Sequence, residues 1–277
     1  MSTALVGAYM NIPVAHLAGG DRVIGNVDDQ VRHAVTKLSH LHFATNDESC
    51  HRILALGEEA FRVFNTGNPG LDRLVATPEL TVQQLSANLG FEIKENEPLI
   101  LLIQHVISSE VDEAYEQMKQ TMEAVRRLGI KTILSYPNSD AGSQKLVQAI
   151  QEYEHLPFLY TAHHISRLEF VNIMRKASCM LGNSSAGILE APLLKLPVVN
   201  VGNRQKGRLH AGNVQFVSHN ADEICKAVHK AIFDREYRNQ VNNCRNPYGD
   251  GTSSKKIAEI LATIPIDEKL LIKEITY

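Results

Sequence analysis

The sequence predicts an α/β protein in which parallel sheets are covered by helices on both faces, divided into two lobes. Three observations carry this expectation. From residue 98 onward short apolar runs alternate with amphipathic stretches, and strands spaced in that way need crossover helices between them. The apolar runs are dense, as in "PLILLIQHV" (98–106) and "LPVVNVG" (196–202), which suits strands buried on both sides. The chain has 277 residues, 44% hydrophobic and 21% charged, enough for one large domain or two smaller ones with a substantial core.

Taken in order, residues 1–75 give a partial first lobe. "STALVGAYMN" reads as a helix of small and apolar residues, and an apolar strand follows over 12–16. A helix near 28–39, the strand "LHFAT", a helix near 46–57 and the segment "FRVFNTGNPGLD" complete it. The tract 76–97 is polar and helical, with "ANLGF" and "KENEP", and is the expected boundary.

The second lobe is expected to run from 76 to 277. After the strand at 98–106 comes a helix over 110–128, ending at Gly129. "KTILSYPN" (131–138) is a strand, and "DAGSQKLVQAIQEY" a helix with Asp140 as its N-cap. "PFLYTAH" (157–163), a helix at 166–177, "CMLGNS", a helix at 186–195 and the strand at 196–202 continue the alternation. Helical patterns dominate beyond 220 and are assigned to this lobe.

Charge and cysteine content exclude several function classes. Lys plus Arg total 28 and Asp plus Glu 31, for a net charge of −3. That balance disfavours a dedicated nucleic-acid binder and a polybasic membrane contact, while leaving room for local cations around a small anion. The four cysteines, Cys50, Cys179, Cys225 and Cys244, fit neither a zinc site nor a disulfide framework, so free thiols in a reducing cytoplasm are expected. The pairs His40/His42 and His163/His164 lack a third ligand at suitable spacing, and no metal or other cofactor is expected. No run is long enough to span a membrane, and "MSTALVGAYMNIP" lacks a basic leader region.

Strand ends in parallel sheets are where ligands bind, and chemistry-bearing residues gather there. In "LGNSSAGILEAP" a strand collapses into small residues and resumes as a helix. Ser184 and Ser185 followed by Ala186 and Gly187 make either an ordinary capped turn or a cradle for an anion. Glu190 would repel a phosphate, so it suits a ligand's neutral part, most naturally a ribose diol. In "NRQKGRLHAGN" Arg204, Lys206 and Arg208 are either solvated or counter-charges on a phosphate. Asp28 and Asp29, with Arg32 and His33 one turn on, are either helix caps or the source of a general base. His105 and His16, each after an apolar run, are acids, phosphate contacts or simply structural.

Taken together and in order, "HLAGGD", "GNVDDQVRHAVTKLSH", "QHVISSE", "YPNSDAGS", "LGNSSAGILEAPLLKLPVVNVGNRQKGR" and "NPYGDG" resemble the UDP-N-acetylglucosamine 2-epimerase family, and most of all its hydrolysing branch. The resemblance runs from about residue 4 to about 262. It implies two Rossmann-like lobes in a glycosyltransferase-B-like fold and a UDP-sugar substrate. It also implies a homo-oligomer and conversion of UDP-N-acetylglucosamine to N-acetylmannosamine and UDP. UDP-diacetylbacillosamine is the alternative substrate, and the non-hydrolysing reaction or an inactive UDP-binding module are the alternative functions. Ser184, Ser185 and Gly187 would meet the diphosphate, with Arg204, Gly207 and Arg208 nearby, and Glu190 would meet the ribose. His105 would sit at the sugar–diphosphate end, while Asp28 and Asp29, with Arg32, would line the sugar pocket. "QHVISSE" and His16-Leu17-Ala18-Gly19-Gly20 stand where the non-hydrolysing branch has "G-H-R-R-E" and "H-V-E-A-G". Ala18 departs from relatives that carry a polar residue, often glutamate, at that position. The resemblance further implies that roughly 100 residues of the first lobe, with another catalytic carboxylate, precede Met1. On that reading the chain alone is expected to be unstable or inactive.

Overall fold

The computed structural model describes residues 1–22 and 27–276; Gly25 and Asn26 of the lead-in to the acidic helix fall outside the described residues. The chain divides into two compact units, one of residues 1–76 and 247–277 and the other of residues 77–246. The fold class is the expected one, α/β with a parallel sheet in each unit.

The first unit opens with α1 (Ser2–Tyr9), β1 (Ala15–Leu17), α2 (Val27–Leu38), β2 (Leu41–Ala44), α3 (Asp47–Ala55), β3 (Val63–Asn65) and α4 (Gly70–Ala76). Its strands pair in parallel in the order β1-β2-β3. β2 is buried along its whole length, so its His42 must find a polar partner inside. That partner is Glu58, whose side chain is fully buried, with His42 Nε2 2.9 Å from Oε2. Lys273 Nζ reaches Oε2 at 2.7 Å and Lys37 Nζ reaches Oε1 at 2.9 Å. Burial alone would raise the Glu58 pKa, but these three partners outweigh it and bring it down to about 2.

The second unit contains α5 (Val82–Leu89), β4 (Leu99–Ile103), α6 (Ala114–Leu128), β5 (Lys131–Ser135), α7 (Ser143–Gln151), β6 (Leu159–Ala162), α8 (Arg167–Lys176), β7 (Cys179–Gly182), α9 (Ala186–Leu189), β8 (Val198–Val201), β9 (Val214–Val217), α10 (Ala221–Phe233) and α11 (Arg235–Asn242). Its sheet runs β6-β5-β4-β7-β8-β9, all parallel. All five residues of β4 are buried, each aliphatic side chain contributing about 1.5–3 kcal/mol. Ile100 and Leu102 pack with Leu134, Leu181 and Val199 against Met118, Met122 and Val125 of α6 and Ile224 and Val228 of α10. Strand order reverses between β4 and β7, and in a sheet of this type the crevice for a ligand opens there.

The chain then returns to the first unit as α12 (Ser253–Thr263) and α13 (Glu268–Leu271). The sequence expectation assigned these helices to the second lobe. Buried polar bonds hold them in the first instead. The wholly buried Arg62 donates to the carbonyls of Leu270 (2.6 Å), Lys269 (2.7 Å) and Ile272 (2.7 Å), and pairs with Glu59 Oε2 at 2.7 Å. Asp72 accepts the Ser253 N–H at 3.1 Å and the Ser254 N–H at 2.5 Å.

Two expected helix details are corrected. α7 begins after Gly142, at φ +86, and not on an Asp140 cap; the Asp140 carboxylate is taken by Asn138 Nδ2 at 2.7 Å. The helix expected over 186–195 is a single α turn, α9, followed by a 3-10 turn over Ala191–Leu194. Pro192 has no N–H to continue the α ladder, and Lys195, at φ +55, ends the segment.

Candidate functional site

In the second unit the carboxyl ends of β4, β7 and β8 meet around Asn183, which is buried. Gly182 just before it has φ +116, and a Cβ there would lie 2.0 Å from the Ile103 carbonyl oxygen. Only glycine lets β7 pass this close to the end of β4. Asn183 Oδ1 then accepts the His105 N–H at 2.8 Å, and Nδ2 donates to the His105 carbonyl at 2.8 Å. The Asn183 carbonyl accepts from Arg204 Nη1 (3.1 Å) and Gln205 Nε2 (2.9 Å). Gln205 Oε1 in turn accepts from Arg208 Nη1 at 2.9 Å. One buried asparagine thus joins the histidine loop, the serine turn and the arginine loop at the switch point.

Ser184 and Ser185 follow directly and are half-buried. Ser184 Oγ accepts the Ala186 N–H at 3.3 Å, which makes Ser184 the capping side chain; Ser185 makes no cap bond. The backbone N–H groups of Ser184 and Ser185 find no acceptor among the described residues. Gly187 packs so tightly that a Cβ would come 2.8 Å from Val198 Cγ1. Two adjacent unpaired N–H groups beside hydroxyls and guanidinium groups can accept an anion. The short α9 makes this a cradle of individual donors more than of a helix dipole, because the dipole of one turn is small.

His105 sits half-buried at the end of β4, and its Nδ1 is buried with no partner among the described residues. Burial, and then Arg204, push its pKa down, while Asn138 and Asp140 pull it up; the net shift is downward. The ring is therefore neutral at pH 7, and a bound diphosphate would favour its protonation. Gly207, at φ +80, lets the arginine loop turn between Lys206 and Arg208.

Glu190 lies where α9 gives way to the 3-10 turn, and its side chain is 17% exposed. Arg167 Nη2 donates to its Oε1 at 2.6 Å. Neither this partner nor the parts played by Asn183 and Gln205 are foreshadowed by a local motif.

In the first unit, Asp28 is exposed and Asp29 half-buried in the first turn of α2. Arg32 Nη1 stands 3.5 Å from Asp29 Oδ1 and donates to the Asp21 carbonyl at 2.7 Å. Asp21, to which the sequence motifs assign no role, accepts at Oδ1 from Thr45 Oγ1 (2.5 Å) and Ser49 Oγ (2.8 Å). Gly20 beside it, at φ +75, would place a Cβ 2.2 Å from the Ser49 carbonyl oxygen. His16 on β1 bonds Thr36 Oγ1 at 3.2 Å, and burial, then His42, then Arg32 lower its pKa to about 4. Among the described residues no group of three or more His, Cys, Asp or Glu could hold a metal ion, and no helix is long and apolar enough to cross a membrane.

Residues 1–262 match the sequence model of the family described as UDP-N-acetylglucosamine 2-epimerase. The chain is 36% identical over 273 residues to the UDP-N,N'-diacetylbacillosamine 2-epimerase (hydrolyzing) of Legionella pneumophila, covering 99% of this chain and 70% of that protein. It is 33% identical over 219 residues to a GDP/UDP-N,N'-diacetylbacillosamine 2-epimerase (hydrolyzing) of Campylobacter jejuni, covering 77% of this chain and 56% of that one. A UDP-N-acetylglucosamine 2-epimerase of Neisseria meningitidis is 29% identical, with 94% and 67% covered. Among solved structures, a UDP-GlcNAc 2-epimerase from Neisseria meningitidis bound to UDP-GlcNAc superposes with TM-score 0.81 at 24% identity, covering 95% of this chain and 73% of that one.

Proposed function

The chain belongs to the UDP-N-acetylglucosamine 2-epimerase family, and on that premise we propose that it serves a hydrolysing 2-epimerisation of a UDP-linked N-acetyl sugar. The observation that carries the UDP end of this reading is the meeting of the Ser184–Ser185 turn, His105, Arg204 and Arg208 around Asn183. Backbone donors of Ser184 and Ser185 and the two guanidinium groups at the Gly207 turn suit a diphosphate, while Gly187 lets the turn pack closely on Val198. Glu190 suits the ribose hydroxyls.

In this reading Asp28 or Asp29 takes the proton from C2 of the sugar, with Arg32 beside them. The C2–H electron pair forms the C1=C2 bond, the C1–O bond breaks, and its electrons leave on the β-phosphate oxygen of UDP. Cations and N–H groups stabilise that departing charge, and His105 protonates or hydrogen-bonds it. Water then gives hydroxide to C1 and a proton to C2 on the other face, releasing the free C2 epimer. The steps call for no cofactor.

Two sugars fit this chemistry. With UDP-N-acetylglucosamine, the substrate the family resemblance implies, the product is N-acetylmannosamine. The 36% and 33% identities to hydrolysing diacetylbacillosamine enzymes favour UDP-diacetylbacillosamine as a second reading. Incubating the protein with each sugar nucleotide in heavy water tests both. Released UDP, with deuterium at C2 of the free epimer, is expected from one of them; product without C2 deuterium sinks the proton-abstraction route. Asp28→Asn/Asp29→Asn should keep UDP binding and lose turnover.

A further inference from the structure

Arg167 is the first residue of α8, directly after Ser166, whose side chain caps the helix in a reciprocal box with Glu169. A cation at that end opposes the helix dipole, so the helix itself gives no reason for an arginine there. What it touches is Glu190, 23 residues further on: Nη2 donates to Oε1 at 2.6 Å. The guanidinium carbon also lies 5.7 Å over the ring of Phe170, one turn along the same helix. The pair is partly shielded, with side chains 35% and 17% exposed. Oε2 of Glu190 accepts no hydrogen bond among the described residues.

We propose that Arg167 is a positioning residue for ribose recognition: it fixes the Glu190 carboxylate by Oε1 and presents Oε2 to a nucleotide's vicinal diol, so that ribonucleotides are chosen over 2′-deoxyribonucleotides. The proposal rests on the reading of Glu190 as the ribose contact. A glutamate with no partner would have to surrender its rotamer freedom when the nucleotide arrives. Held by a planar guanidinium, the carboxylate is already oriented. A carboxylate oriented for a hydroxyl also penalises a ligand lacking that hydroxyl, because the acceptor is then left desolvated and unpaired. An ordinary surface ion pair would add little to stability and nothing to the choice of sugar.

The test is calorimetric titration of UDP and of 2′-deoxy-UDP into the wild-type protein and into Arg167→Ala, Arg167→Lys and Glu190→Gln. Wild type should prefer UDP by about tenfold or more, the weight of one charge-assisted hydrogen bond. Arg167→Ala should weaken UDP binding by about fivefold to thirtyfold and change 2′-deoxy-UDP binding far less, so that the preference collapses. Arg167→Lys should restore part of the preference, since an ammonium keeps the charge without the planar fork. An unchanged UDP/2′-deoxy-UDP ratio in Arg167→Ala overturns the proposal. If that variant fails to fold, an unchanged ratio in Arg167→Lys does so. Should Glu190→Gln bind UDP as tightly as wild type, the ribose reading itself falls. Should Glu190→Gln lose affinity while both Arg167 variants keep the full ratio, only the positioning role falls.

Discussion

Asn183 holds the peptide of His105 with both ends of its side-chain amide, accepting from the N–H at 2.8 Å and donating to the carbonyl at 2.8 Å. No other residue type of that size offers a donor and an acceptor at this spacing. Aspartate keeps the acceptor but sets a second oxygen against the His105 carbonyl. Asn183→Asp is therefore expected to cost about 1–3 kcal/mol in urea unfolding and to weaken UDP binding, because it also adds negative charge beside the serine turn. Unfolding and calorimetry indistinguishable from wild type would refute this.

Gly182→Ala is expected to be worse than a lost hydrogen bond. The new Cβ would meet the Ile103 carbonyl at 2.0 Å, and φ +116 is costly for any residue but glycine. The two strands at the switch point must part, at a cost of at least about 2–3 kcal/mol. A shift in the urea midpoint measures it; a wild-type midpoint counts against the close approach.

Arg62→Met should release the C-terminal segment. It removes the donors to the carbonyls of Lys269, Leu270 and Ile272 and strands them inside. Breaking a buried charged cluster on one side costs about 3–5 kcal/mol. Hydrogen exchange should become fast over residues 267–273 while the strands of the second unit keep their protection. Retained protection over 267–273 would show that the arginine is dispensable.

Acid should weaken the first unit in two windows. His16 has its pKa lowered from 6.5 to about 4, so between those values the unfolded chain binds a proton that the folded chain refuses. Its contribution is whole above pH 6.5 and is lost as pH falls toward 4. Glu58, lowered from 4.5 to about 2, contributes fully above pH 4.5 and loses that contribution as pH falls toward 2. Denaturation followed from pH 7 downward should show both slopes; His16→Asn should reduce the upper one, which His40 and His42, also lowered by burial, share, and leave the lower one unchanged.

Much of this architecture was readable because its signals are local. Dense apolar runs mark β4 to β8 of the second unit, while β9, only Val214–Val217 with a polar Gln215 inside it, is not among the expected strands; Gly129 ends α6 as expected, in a left-handed cap at φ +60. The break at Pro192 is also written in the sequence, since proline inside a helical pattern interrupts it, although the apolar residues on either side of it continue a helical spacing. The Asp140 cap failed for another local reason, competition from Asn138 two residues away. Long-range polar partners were not readable at all. Arg62 bonds carbonyls more than 200 positions along the chain, and Arg167 meets Glu190 across a strand and a turn. Amphipathic periodicity tells which face of α12 is buried, never against which sheet, so the last helices were assigned to the wrong unit.

The way the two units interleave along the chain has a bearing on biosynthesis. Residues 77–246 form one uninterrupted stretch, whereas the first unit is closed by residues 247–277. As the chain leaves the ribosome, the middle segment has all of its own residues before the opening segment has received Lys273 or the carbonyls that satisfy Arg62. Multidomain chains ordinarily mature from the amino end; here residues 1–76 have to wait for residues 247–277 before Arg62 and Glu58 gain the partners that compensate them.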